Sequence, residues 1–130
     1  MNTNYGFGKK VAFTFDETIE KVIQSLRMEG FGVLTDIDVA ATLKKKLGQD
    51  MPPYRILGAC NPPLAHRAIE MEPSIGLLLP CNVVVRQDKK GSVIVEVMDP
   101  EAVLDLVGNP AIGGVAREVR EKLQRVLNEL

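Results

Sequence analysis

The dipeptide Cys-Asn occurs twice in this chain, and the two copies contain both of its cysteines. Thiols can act as nucleophiles or redox groups once they ionise. An amide side chain both donates and accepts hydrogen bonds, which suits ligand recognition. Each copy lies at an end of a predicted strand, so a sheet could bring the two together. The candidate ligand-binding residues are therefore Cys60, Asn61, Cys81 and Asn82.

Cys60 is the stronger candidate for thiol chemistry, because it precedes a predicted helix start. Asn61 is a good N-cap, and Pro62 suits the first position of a helix. The dipole and free amides of a helix start can lower a thiol pKa, and they also favour an anionic group. Burial is the competing interpretation for both cysteines, since free cysteine is among the most buried residue types. Cys81, which begins a valine-rich strand, fits that interpretation well.

The sequence gives less support to a catalytic cysteine–histidine pair or to a metal site than to a ligand-binding site. His66 is the only histidine, and on the predicted helix it points away from the apolar face beside Glu70, so we expect an i, i+4 surface pair. The cysteines form no Cys-x-x-Cys motif, so structural zinc is not expected. Asp36 and Asp38 share a strand face, where their carboxylates could bind a cation or act in acid–base catalysis. In the alternative interpretation, Asp36 is an ordinary surface residue and Asp38 caps a helix. We assign no catalytic residue, no metal and no cofactor.

The properties of the whole chain limit the partners and the compartment. With 130 residues, we expect a single domain spanning 1–130, long enough to bury a core without a metal or disulfide. The formal net charge of −1, the low aromatic content and the absence of tryptophan argue against a nucleic-acid partner. The sequence shows no signal peptide and no apolar run that approaches the roughly 20 residues of a membrane span. We therefore expect a cytoplasmic protein with free thiols and no membrane partner.

Hydrophobic periodicity predicts an α+β domain. The predicted strands are Lys10–Phe15, Phe31–Ile37, Tyr54–Cys60, Cys81–Arg86 and Ser92–Met98, and the predicted helix caps are Asp16, Asp38, Asn61, Asp99 and Asn109. Gly58 lies inside a strand, which often marks a bulge or a close approach. Gly113-Gly114 weakens the start of the last helix, so its regular part is expected from near Val115. This order of elements fits a two-layer, largely antiparallel sheet with helices on one face.

Three segments resemble domain-of-unknown-function family 302, a family of small bacterial and archaeal proteins. They are Glu29–Thr35, Leu57–Pro62 and Leu78–Val85. The likeness extends in order over nearly the whole chain. It implies an α+β fold of the strand–helix–four-strands–helix kind, with a shape like that of TATA-binding-protein folds. It implies no DNA binding, because fold does not fix function, and it brings no established activity.

Three functions are compatible with these observations. The first is a small-ligand-binding domain, with the ligand at the ends of the third and fourth strands and the helix start at Asn61, whose amides favour an anionic group. The second is a thiol-dependent enzyme or redox protein that uses Cys60, which a low thiol pKa would favour. The third is a non-catalytic structural homodimer, which inert and buried cysteines would favour. A homo-oligomer, in the simplest case a dimer, is expected under all three, because sheets with one open face often pair.

Overall fold

The computed structural model describes residues 2–130, which form a five-stranded sheet and five α-helices. The strands are β1 Gly6–Val11, β2 Gly32–Asp38, β3 Tyr54–Cys60, β4 Cys81–Gln87 and β5 Val93–Met98. Their spatial order is β1-β5-β4-β3-β2, and every neighbouring pair is antiparallel. The predicted α+β architecture is confirmed.

The helices begin where short polar side chains precede them. The helices are α1 Phe15–Met28, α2 Val39–Leu47, α3 Pro62–Met71, α4 Pro100–Leu104 and α5 Pro110–Asn128, with short 3-10 segments at Pro73–Leu78 and Asp105–Val107. Asp38, Asn61, Asp99 and Asn109 cap α2 to α5, each accepting a hydrogen bond from an amide of the first turn. These four predicted caps are confirmed.

The predicted first strand and the predicted cap of the first helix are wrong. The strand ends at Val11 instead of beginning near it, and Thr14, not Asp16, caps α1 by accepting from the Glu17 amide at 3.2 Å. The register of β1 on β5 buries Phe7 in the core, which explains the earlier strand. Lys9 lies between Phe7 and Val11 on the same side of β1, so this short strand shows no clean hydrophobic alternation in the sequence.

The last helix also begins earlier than predicted, at Pro110. The side chain of Asn109 accepts from the Ala111 amide at 3.0 Å, and Ile112 is buried in the core. This cap and this burial hold the first turns together despite the helix cost of Gly113-Gly114.

One hydrophobic core lies between the sheet and the long helices. Alternate strand residues such as Leu57 and Val83 pack in one cluster with Leu26 of α1, Leu64 of α3 and Leu123 of α5. The intervening strand residues point to the other face of the sheet, because side chains alternate along a strand. Within residues 2–130, no helix is both long enough and apolar enough to cross a membrane.

Candidate functional site

A cavity of about 340 Å³ opens where the ends of β3 and β4 meet α3 and α5. Helix α3 contributes Ala65 and Ala68 to its wall, and α5 contributes Val115 and Val119. None of the charged residues within 2–130 lines this cavity. Its volume is within the range of about 300 to 1,000 Å³ that is typical of small-molecule sites. The cavity is therefore of a size and composition that suit a small apolar molecule.

Three of the four predicted site residues, Cys60, Asn61 and Cys81, line this cavity. Residues Ala59 and Cys81 are paired across β3 and β4, which brings the two Cys-Asn segments to the same edge of the sheet.

Asn82 is not in the wall of this cavity, which corrects the predicted site. It follows Cys81 on β4, so its side chain points to the opposite face of the sheet. There it lines a separate depression with Val84 and Tyr54. Because side chains alternate between the two faces of a sheet along a strand, Cys81 and Asn82 point to opposite faces.

The two thiols differ in their surroundings. Both cysteines are free; Cys81 is buried, whereas Cys60 is half-buried. Burial raises the pKa of the Cys81 thiol from 9.0 to about 11, and the nearby Cys60 contributes to the increase. The Cys81 thiol therefore stays neutral near pH 7 and serves as a small apolar group in the wall.

Cys81 is expected to resist alkylation in the native protein. Only about one thiol in a thousand is ionised three pH units below its pKa, so iodoacetamide at about pH 8 should label Cys81 very slowly. Mass spectrometry of native and urea-unfolded protein measures this at both cysteines. Labelling of native Cys81 at the rate of the unfolded chain would contradict the assignment.

The same pKa shift predicts how stability depends on pH. The unfolded Cys81 thiol ionises near pH 9.0 and the folded one near 11, so the folded chain binds more protons in this window. The free energy of unfolding should therefore fall as the pH rises from about 9 to about 11. The Cys81→Ala variant should lack this part of the pH dependence. Urea unfolding at a series of pH values measures the free energy of unfolding of both proteins.

Asn61 joins the start of α3 to the end of α1. Its Oδ1 accepts from the Leu64 amide at 3.4 Å, and its Nδ2 donates to the Glu29 carbonyl at 3.3 Å. Pro62 and Pro63 have no N–H, and the Leu64 amide is already capped. The first turn of α3 therefore offers no free donor at these three positions, so the expected attraction of this helix start for an anion loses its physical basis.

Replacing Asn61 is expected to lower stability through two separable contacts. Asn61→Ala removes the cap and should lower the free energy of unfolding by about 1 kcal/mol, with a range of about 0.5 to 2 kcal/mol. Asn61→Asp keeps the acceptor for the Leu64 amide but loses the donor to the Glu29 carbonyl. Its free energy of unfolding should therefore lie between those of Asn61→Ala and the wild type. Urea unfolding of both variants measures the two contributions, and a fully stable Asn61→Ala would contradict the capping role.

The other sequence candidates have ordinary structural partners. His66 and Glu70 are exposed neighbours on α3, with 3.0 Å between Nε2 and Oε1. The Arg55 guanidinium binds the Asp36 carboxylate, and this hydrogen bond raises the pKa of Arg55. Asp38 caps α2. In the described part of the chain, no group of three or more His, Cys, Asp or Glu side chains could hold a metal ion.

Sequence reasoning did not assign Thr35 and Pro80 to the site, although both line the cavity. Both lie close to Gly58 on β3, because a Cβ at Gly58 would meet the Thr35 hydroxyl and the Pro80 ring. A bulge between Val33 and Thr35 accompanies this approach. The signal was the glycine inside a strand, which predicted a close approach but not the approaching residues.

The comparison with known families covers almost the entire chain. The model for Domain of unknown function DUF302 matches residues 7–130. The chain belongs to this family. A similar solved structure, an uncharacterized conserved protein DUF302 from Bacillus stearothermophilus, is 32% identical, with a TM-score of 0.89 over 95% of this chain and 96% of that chain. No curated protein matches. Membership of DUF302 thus supports the fold, while function has to be argued from the cavity.

Proposed function

We propose that this DUF302 domain binds a small, uncharged and mainly apolar molecule in the cavity beside Cys60 and Cys81. The observation that carries the proposal is the cavity wall, which α3 and α5 build from alanine, leucine and valine side chains. Burial of apolar surface contributes about 25 cal/mol per Å², so a ligand that fills the cavity gains affinity from contact area. Orientation would come from the few polar groups in the wall, including the Thr35 hydroxyl.

An anionic ligand gains little from this cavity. A bound anion needs hydrogen-bond donors or positive charge, and the lining offers neither lysine nor arginine within residues 2–130. The helix start that was expected to supply donors has two prolines and one capped amide. We therefore restrict the small-molecule hypothesis to neutral ligands.

Thiol catalysis receives less support than binding. A catalytic cysteine needs a base or a positive charge to form its thiolate. His66 lies on the exposed side of α3 and pairs with Glu70, and it does not line the cavity. Cys60 thus has no histidine beside it in the cavity wall among the described residues.

A dye titration tests the proposal. The neutral dye N-phenyl-1-naphthylamine should bind saturably with a stoichiometry of one per chain, detected by its fluorescence increase. The related anionic dye 1-anilinonaphthalene-8-sulfonate should bind at least about tenfold more weakly, a difference of about 1.4 kcal/mol. Tighter binding of the anionic dye, or no saturable binding of the neutral one, would refute the proposal.

A further inference from the structure

The proposed ligand cavity has one exposed side and one buried side. On the exposed side, Leu34 is 68% exposed and Ile69 is 45% exposed, and both line the cavity. On the buried side, Leu104 and Val115 line it with only 4% and 2% of their surfaces exposed. A molecule in this cavity can therefore keep one end in water beside Leu34 and Ile69, here called the mouth, while its other end is buried.

The buried side of the cavity offers mainly hydrocarbon contacts. Helix α5 contributes Val115 and Val119, and among residues 2–130 the only aromatic side chain in the lining is Phe31, which is itself buried. A planar ring gains affinity by stacking on aromatic side chains, and a polar ligand gains it from placed donors and acceptors. An alkyl chain needs neither, because its affinity comes from the apolar area that it buries. The composition of the lining thus favours an alkyl chain.

The extent of the lining also suits a chain. Leu34 lies on β2, Ala59 on β3 and Cys81 on β4, and these three strands are neighbours in the sheet. Because neighbouring strands lie about 4.8 Å apart, the lining extends across about 10 Å. Leu104 adds a contact from α4 on the buried side. An extended chain can contact all of these residues at once, whereas a compact ring would leave part of the cavity empty.

We propose that the ligand of this cavity is a neutral amphiphile with a single alkyl chain, whose chain lies against Leu104 and Val115 and whose polar group stays in water at the mouth. This inference rests on the proposed function and adds the class and the orientation of the ligand. None of the charged residues within 2–130 lines the cavity, so an ionic head group would find no partner there. A hydroxyl group at the mouth needs none, because water hydrates it.

Displacement of N-phenyl-1-naphthylamine by straight-chain primary alcohols, from 1-hexanol to 1-dodecanol, tests the alkyl chain. Each added methylene should tighten binding by up to about fourfold, which corresponds to about 0.8 kcal/mol, until the chain fills the cavity. If the dye binds saturably but no alcohol displaces it, or if affinity does not increase with chain length, this inference is overturned and the proposed function stands. Absence of saturable dye binding would overturn both.

Leu34→Arg tests the orientation of the chain. An arginine at the mouth should attract the carboxylate of decanoate, so the affinity for decanoate relative to 1-decanol should increase about two- to fivefold, the usual effect of an exposed ion pair. Leu47→Arg is the matched control and should leave this ratio unchanged, because Leu47 is 65% exposed on α2 and does not line the cavity.

The same titrations show when the orientation is wrong. An unchanged ratio in Leu34→Arg, or an equal increase in Leu34→Arg and Leu47→Arg, would overturn a polar group at the mouth. Circular dichroism checks that the variants fold. Ile69→Arg places the same charge at the mouth from α3 and replaces Leu34→Arg if that variant does not fold.

Discussion

Gly58→Ala is expected to lower the free energy of unfolding by about 1 to 3 kcal/mol, the usual cost of overpacking. A methyl group at this position would run into the hydroxyl of Thr35 and would lie 2.9 Å from Cγ of Pro80. Both neighbours line the cavity, so relieving the overlap would displace residues of the candidate site. Urea unfolding gives the change in free energy, and the dye titration shows whether the cavity is altered too.

Two further variants make the Gly58 experiment decisive. Gly113→Ala places a methyl group in open space on α5 and should stabilise the protein by up to about 1 kcal/mol, because alanine is the better helix former. Adding Thr35→Ala to Gly58→Ala removes the nearer obstacle and should recover part of the loss. If Gly58→Ala is as stable as the wild type, or if Thr35→Ala recovers nothing, the close approach is not what this glycine accommodates.

Ala65→Phe is expected to weaken binding of N-phenyl-1-naphthylamine at least about tenfold, a loss of about 1.4 kcal/mol or more. Ala65 is half-buried on α3, and its side chain lines the cavity. The phenyl ring would occupy volume that the ligand needs, whereas the fold should keep most of its stability because the position is not fully buried. The dissociation constant from the fluorescence titration is the readout.

Ala111→Phe is the matched control for this substitution. Ala111 is exposed in the first turn of α5 and does not line the cavity. Both variants carry a similar helix-propensity cost of a few tenths of a kcal/mol up to about 0.7 kcal/mol. Equal dye binding by Ala65→Phe and the wild type, or equal losses in the two variants, would place the dye outside the cavity.

The fold was largely predictable because its local signals are strong. The Asp-Pro and Asn-Pro pairs marked the starts of α4 and α5, alternation marked β2, and apolar runs bounded by turn residues marked β3 to β5. The wrong prediction of β1 has a physical cause, since Lys9 interrupts Phe7 and Val11 on the core-facing side of the strand. Only its pairing with β5, through contacts distant in sequence, shows that Phe7 and not Phe13 enters the core.

The candidate site was only partly predictable. The sequence left open whether Cys60 and Cys81 are close, and the antiparallel pairing of β3 with β4 brings them to one edge of the sheet. The missing amides of Pro62 and Pro63 are visible in the sequence, yet this helix start was expected to favour an anion. The contributions of α5, such as Val119, could not be predicted, because they depend on how a distant helix packs across the sheet.

Methyl chemical-shift mapping tests the central claim, that the cavity binds a neutral apolar molecule, most directly. Spectra of the protein with labelled Ile, Leu and Val methyl groups would be recorded during titration with N-phenyl-1-naphthylamine. The account predicts large shifts for methyls in the cavity wall, such as Leu64, Leu79 and Val119, and small ones for Val84, on the sheet face opposite the core. Large shifts at Val84 with unperturbed methyls in the cavity wall would contradict it.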